Sequence, residues 1–334
     1  IKERGYVYIL VTKRYYTRDN KHMDKTEIIR KIREITDSNV KCGVEIYVCV
    51  KSDTEDFKLE KMAAINTLKD RIRTIVLDVI SQVYLSEEAE YSNIIDVIDN
   101  KKAIYILEQN EKYKPFALLN KSLESVENFK EENIKDVLGC IFKINVNSKK
   151  LFLYQHAYVG SKLRTKNVLR IVQKEDIFEI VDKEMLKIDK RSEMIILDNT
   201  LLVKNVKVLQ DYFGFQIFIR NQAKETISKL EKLDIIGNMD KLKEYQNEEK
   251  LTISKKLMKI QNSPVLQMKK ADLINKIPTI SRYKGMIHIE NGKIKTNTKK
   301  DIDNLMKLLN DDYVKSELTE QEYDSTSKIL LPKE

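Results

Sequence analysis

Three times the chain runs an apolar stretch into a two-residue turn and straight back into a second apolar stretch, and this grammar constrains the fold most. Gly139-Cys140-Ile141-Phe142-Lys143-Ile144-Asn145-Val146 reaches Asn147-Ser148 and returns as Leu151-Phe152-Leu153-Tyr154. Met194-Ile195-Ile196-Leu197 reaches Asp198-Asn199 and returns as Leu201-Leu202-Val203. Ile287-His288-Ile289-Glu290 reaches Asn291-Gly292 and returns as Lys293-Ile294-Lys295. So short a connection joins only antiparallel neighbours, because parallel strands need a crossover of a dozen residues or more. Asn-Gly is the strongest of the three signals, since a type I′ turn requires positive φ at both central residues.

Between the second and third hairpins the period changes from two to 3.6 over roughly 205–277. Ile217–Leu233, Met239–Gln246 and Leu251–Gln261 read as helices, the last with Ile253, Leu257 and Ile260 on one face. Ser263-Pro264 reads as an N-cap followed by Pro at the first helical position, opening a helix that runs to about Lys276. A last helix, Lys299–Leu309, presents Ile302, Leu305, Met306 and Leu309. The first part of the chain has another style. Tyr6–Val11 and Val44–Val48 read as strands flanking a helix that Asp24 caps, with Ile28, Ile29, Ile32 and Ile35 on one face. A longer helical pattern covers about Leu59–Val83 through Ile65, Leu68, Ile72, Ile75, Val76 and Val79, and Ala103–Leu107 reads as a strand. The expected class is α+β: a strand–helix–strand N-terminal part, then a hairpin-rich antiparallel sheet with a helical insertion. Four Pro and eight Gly leave no obvious linker. The break at Lys130-Glu131-Glu132-Asn133 divides the reading into an N-terminal α/β region, 1–130, and a hairpin-rich domain, 131–334.

Chemistry-bearing patterns are scarce. The glycines form no phosphate-cradling loop of the kind a P-loop requires. His22, His156 and His288 are isolated, so neither a zinc site nor a histidine-based triad suggests itself. Cys42, Cys49 and Cys140 are odd in number and widely spaced, which suits free thiols in a reducing compartment. No apolar run approaches the ~18 residues of a membrane span. The sequence opens on Ile1 rather than Met, and residues upstream are expected. We read the protein as cytoplasmic, without a cofactor, catalytic residues or a metal site. A divalent-metal-dependent nuclease stays open as an alternative, because such enzymes hold Mg²⁺ with carboxylates on neighbouring strands. Asp99 with Glu108, ending at Asn110 rather than a lysine, is the nearest match, and Glu193 and Asp198 bracket another strand.

The formal net charge is +9, which points toward a polyanion. The 49 Lys outnumber the 12 Arg, so A/T-rich coding would give the same basicity. Clustering is more informative than the sum. Lys162, Arg164, Lys166, Arg170 and Lys174 occur with no acidic residue among them. Lys255, Lys256 and Lys259, then Lys269 and Lys270, lie on a helical pair that has the look of a helix-turn-helix. Arg282, Lys284, Lys293, Lys295, Lys299 and Lys300 form a third group. Residues 255–300 hold 12 Lys plus Arg against Asp272 and Glu290, whereas 301–334 hold nine carboxylates against four lysines. A basic face followed by an acidic tail shields itself or meets a partner subunit. The first two clusters are the expected DNA-contacting residues.

Three stretches also carry a family resemblance. They are Leu138-Gly139-Cys140-Ile141-Phe142-Lys143-Ile144 with Leu151–Gln155; Met194–Asp198 with Val203-Lys204-Asn205 and Tyr212-Phe213-Gly214-Phe215; and Leu308–Thr319 with its Asp312-Tyr313-Val314-Lys315-Ser316-Glu317-Leu318-Thr319 run. From about residue 100 to 331 the chain resembles the KwaB family of Kiwa anti-phage defence systems. The resemblance implies a DNA-binding effector that works with a membrane-embedded KwaA-like subunit, at the inner face of the cell membrane, and restrains phage replication or expression. It supplies no catalytic motif and no DNA-contacting residues. The apolar motif near the C-terminus suggests packing against a second copy, and a symmetric homodimer is the default. A scaffold or adaptor that meets only proteins is the other alternative.

Overall fold

The computed structural model describes residues 24–37, 42–52, 57–94, 103–109, 113–120, 123, 126–158, 162–163, 171–174, 177–180, 185–248, 251–261, 263–316 and 318–325. The described helices are α1 (Lys25–Thr36), α2 (Asn66–Val79), α3 (Val206–Tyr212), α4 (Phe215–Leu233), α5 (Met239–Asn247), α6 (Thr252–Ile260), α7 (Lys270–Lys276) and α8 (Lys299–Leu309). The strands are β1 (Gly43–Val50), β2 (Lys58–Lys61), β3 (Glu90–Asn93), β4 (Ala103–Glu108), β5 (Val137–Val146), β6 (Lys149–His156), β7 (Lys162–Leu163) and β8 (Ile171–Lys174). They continue with β9 (Ile177–Ile180), β10 (Met185–Leu186), β11 (Met194–Leu197), β12 (Thr200–Val203), β13 (Ile289–Glu290), β14 (Lys293–Ile294), β15 (Tyr313–Lys315) and β16 (Glu322–Asp324). The class is α+β, as the sequence predicts.

Eight strands form one sheet in the order β2-β1-β5-β6-β11-β12-β4-β3. Every neighbouring pair is antiparallel except β3 with β4. The four strands that follow residue 131 (β5, β6, β11 and β12) lie together at its centre, and strands that precede residue 131 flank them on both edges. All three expected hairpins form with two-residue turns: Val146 pairs with Lys149, Leu197 with Thr200, and Glu290 with Lys293. Asn291 and Gly292 take φ of 52° and 69°, as a type I′ turn demands.

The central strands are apolar on both faces because both faces are covered. Side chains alternate along a strand. Leu151 and Leu153 of β6 therefore join one core with Ile28, Ile32 and Ile35 of α1 and Ile72, Val76 and Val79 of α2. Phe152 and Tyr154 join the opposite core with Phe57, Phe116, Phe213, Phe215 and Phe218. Gly139 on β5 permits this second layer, since a Cβ there would meet the Gln155 carbonyl oxygen at 2.4 Å and the Tyr154 ring at 2.7 Å. Helix α4 then ties the sheet to a helical unit. Its Phe215, Phe218 and Ile219 belong to the sheet core, whereas Ala223, Ile227 and Leu230 belong to a core built with α5, α6, α7, α8 and β14.

Two expected helices differ in the structure. The pattern from Leu59 becomes helical only at Asn66, because Lys58–Lys61 pairs with β1 as an edge strand. Ile65 and Leu68 are consequently exposed. The helix expected from Pro264 to Lys276 is broken: Ser263 caps a 3₁₀ turn at Pro264–Gln267, Met268 and Lys269 are extended, and α7 starts afresh at Lys270. The strand expected at 6–12 lies outside the described residues.

Candidate nucleic-acid interface

Helix α6 buries Ile253, Ser254, Leu257, Met258 and Ile260, which leaves its lysines on the remaining face. Lys255 is exposed and its Nζ donates to Gln210 Oε1 at 3.3 Å. Lys256 makes an ion pair with Asp303 of α8 at 2.7 Å. Lys259 follows one turn on. Lys269 is exposed at the N-cap of α7. Lys270 reaches Asp234 at 2.7 Å, and Lys293 binds the other oxygen of the same carboxylate. Hydrogen bonds from these two lysines hold the Asp234 carboxyl at about 2. The structure thus brings the second cluster together on one unit. It also separates α6 from α7 by residues 261–269, too long and bent a connection for a helix-turn-helix. Within the third group Lys284, Lys299 and Lys300 are exposed, Lys295 pairs with Glu290 at 2.9 Å, and Arg282 is held by Asp324. Exposed pairs of this kind contribute little to stability, so the paired lysines are readily exchanged onto phosphate.

The first cluster falls in the excursion between β6 and β11. Lys162 lies on β7 and Lys174 on β8, while Arg164, Lys166 and Arg170 lie outside the described residues. Strand β7 pairs with β10, and β8 with β9. A polar clamp, which no local sequence pattern reveals, joins the two ends of this excursion. Gln155 Nε2 donates to the carbonyl oxygens of Asp189 (2.7 Å) and Arg191 (2.9 Å). Glu193 Oε2 accepts from the His156 backbone N–H at 2.7 Å. His156 Nδ1 lies 3.1 Å from the Tyr154 hydroxyl, and its ring packs against Tyr158 and Tyr212. The Arg191 guanidinium sits 4.9 Å from the centre of the Tyr158 ring. Burial pushes the Glu193 carboxyl above the ordinary carboxylate range, against the His156 N–H and the Arg191 charge. Glu193 joins His156 through the β6–β11 register, which is non-local.

Of the carboxylates considered for a nuclease, Glu193 and Asp198 stand at opposite ends of β11. Asp99 and Asn110 lie outside the described residues, and Glu108 accepts from the Thr200 hydroxyl at 2.9 Å. Asp198 turns outward at the far end of β11 from Glu193 and pairs with Lys31 at 2.8 Å. Among the described residues no group of three His, Cys, Asp or Glu is placed to hold a metal ion. The thiols of Cys42, Cys49 and Cys140 are buried and unbridged. No described helix is long and apolar enough to cross a membrane.

A family model described as Kiwa protein KwaB-like matches residues 134–319. The chain is also similar to the Kiwa protein KwaB of Escherichia coli O55:H7 (strain RM12579 / EPEC). The two are 24% identical over 302 residues, which cover 86% of this chain and 93% of that protein. No solved structure matches the chain.

Proposed function

This chain belongs to the KwaB-like family of Kiwa proteins, a family of anti-phage defence, and from that premise we propose that it acts by binding DNA through backbone phosphates. The observation that carries the reading is the helical unit's charge. Residues 255–300 hold twelve Lys or Arg against two carboxylates, and α6 turns its lysines away from an inner face that is apolar but for Ser254. Lysine is a point charge rather than a planar fork, suited to phosphate and poor at reading base edges. Binding of this kind is driven by counterion release and is nearly indifferent to sequence. The excursion that starts at β7 adds a second basic segment, held at its base by the clamp around Glu193.

The protein restrains phage replication or expression by occupying DNA, without cutting it. A second copy and a membrane-embedded KwaA-like subunit complete the assembly in this reading, placing it at the inner face of the membrane. Leu308 and Leu309 lie in the chain's own core, so the surface left for these partners includes Val314, Leu318 and Tyr323, all exposed.

Fluorescence anisotropy with two unrelated labelled duplexes tests the reading. Affinity should fall linearly with salt on logarithmic axes and differ little between the duplexes. Plasmid incubated with the protein and Mg²⁺ or Mn²⁺ should stay intact. No binding at low salt would favour a scaffold, and metal-dependent cutting abolished by Glu108→Ala would favour a nuclease.

A further inference from the structure

Two acidic residues near the C-terminus, Glu322 and Asp324, are set against part of the basic surface. Strands β15 and β16 form a hairpin in which Val314, Lys315, Glu322, Tyr323 and Asp324 are exposed. Its grip on the helical unit is polar. Asp324 accepts from Arg282 through both carboxylate oxygens, Nε to Oδ1 at 2.9 Å, and from Lys307 of α8 at 3.1 Å. Glu322 Oε1 accepts from the Ser281 hydroxyl and, at 2.8 Å, from the Tyr313 hydroxyl of its own hairpin. The Tyr283 and Tyr313 rings, 6.1 Å apart, add an apolar contact.

The two-oxygen grip on Arg282 is the geometry with which a guanidinium holds a phosphate. A hairpin fixed mainly by exposed ion pairs is lightly held, because water and salt compete for each of them. Being tethered, it still faces Arg282 and Lys307 at an effective concentration in the millimolar range, typical of short linkers. A duplex carrying one charge about every 1.7 Å competes for the same cations.

We propose that the β15–β16 hairpin is a built-in competitor, holding Arg282 and Lys307 through Asp324 and steadied on Ser281 through Glu322, until a polyanion displaces it. The proposal rests on the DNA-binding reading and adds its regulation. Arg282 and Lys307 are thereby part of the phosphate-binding surface, adjoining the exposed Lys284. The chain binds DNA more weakly than its cations allow, and whatever draws the hairpin away strengthens binding.

The test is the salt dependence of duplex binding for the Glu322→Gln, Asp324→Asn double variant. Freeing two cations should steepen the log–log slope by about two and tighten binding by roughly tenfold at moderate salt. Adding Arg282→Ala and Lys307→Ala to that background should return both values to those of the unaltered protein. Asp324→Asn alone, which keeps Glu322 on Ser281 and Tyr313, should move both in the same direction by less, and thermal unfolding reports whether each variant is folded. If the unaltered protein binds DNA and the double variant binds identically, the competitor is refuted while the DNA reading stands. If the tightening survives loss of Arg282 and Lys307, it reflects net charge and the proposal fails. If no folded variant binds DNA, the DNA reading falls and the competitor with it.

Discussion

The environment of Glu193 departs from what its position in the chain suggests. It precedes a four-residue strand, yet it is buried and accepts from the His156 backbone. Burial raises its carboxyl above the ordinary range, with the His156 N–H, Arg191 and Tyr158 opposing. Below about pH 4 folded and unfolded chains both hold the proton and the residue imposes no cost. As pH rises the unfolded chain ionises first, so this residue's contribution falls until the buried carboxyl ionises too, and then levels. Glu193→Gln keeps an acceptor for His156 and removes the titration. The stability of the unaltered protein relative to this variant should therefore decline as pH rises from about 4 toward neutrality. Denaturant unfolding of both proteins across that range measures it, and a constant difference would contradict the assignment. The sequence shows His156 only as an isolated histidine between Tyr154 and Tyr158; its burial comes from the rings of Tyr158 and Tyr212. The burial of Glu193 was not legible, since it depends on which strand lies beside β6.

At the scale of elements, legibility follows locality. The three hairpins read correctly because turn chemistry and register are set within a few residues. Helix α8 read correctly for the same reason: Thr298 Oγ1 accepts from Asp301 N–H at 3.2 Å, and Asp301 Oδ2 accepts from Thr298 N–H at 2.9 Å, a complete capping box. Thr298→Ala should lower stability by about 1 kcal/mol with little effect on DNA binding, measured by denaturant unfolding. No measurable change would mean the cap is redundant with the burial of Ile302, Leu305 and Leu309. Elements decided by distant partners were misread. Leu59 has a helical period but pairs with Cys49 across β1, and tertiary pairing overrides so weak a preference. After Ser263 the run to Lys276 looked continuous, yet Val265 and Leu266 turn into the helical core and the chain straightens before α7. The double membership of α4 in two cores left no mark that periodicity alone could separate.

In the whole molecule a sheet covered on both faces leaves its central strands little polar surface, and the helical unit carries the excess charge. The resemblance read from Leu138–Gln155, Met194–Phe215 and Leu308–Thr319 falls inside residues 134–319, where the family match lies. The charge clusters were legible as composition; their pairing was not, because Asp234, Asp303 and Asp324 reach them through tertiary contacts. We propose that the clustered lysines of α6, rather than the net charge of +9, hold the DNA. The direct measurement compares Lys255, Lys256 and Lys259 changed together to Ala with the exposed Lys51, Lys114 and Lys130 changed together, each removing the same charge. Duplex affinity is followed from about 50 to 300 mM salt. The slope should be shallower by about two to three for the α6 variant, with the control near the unaltered protein. Equal losses in both variants would show diffuse attraction to a basic chain and contradict the interface.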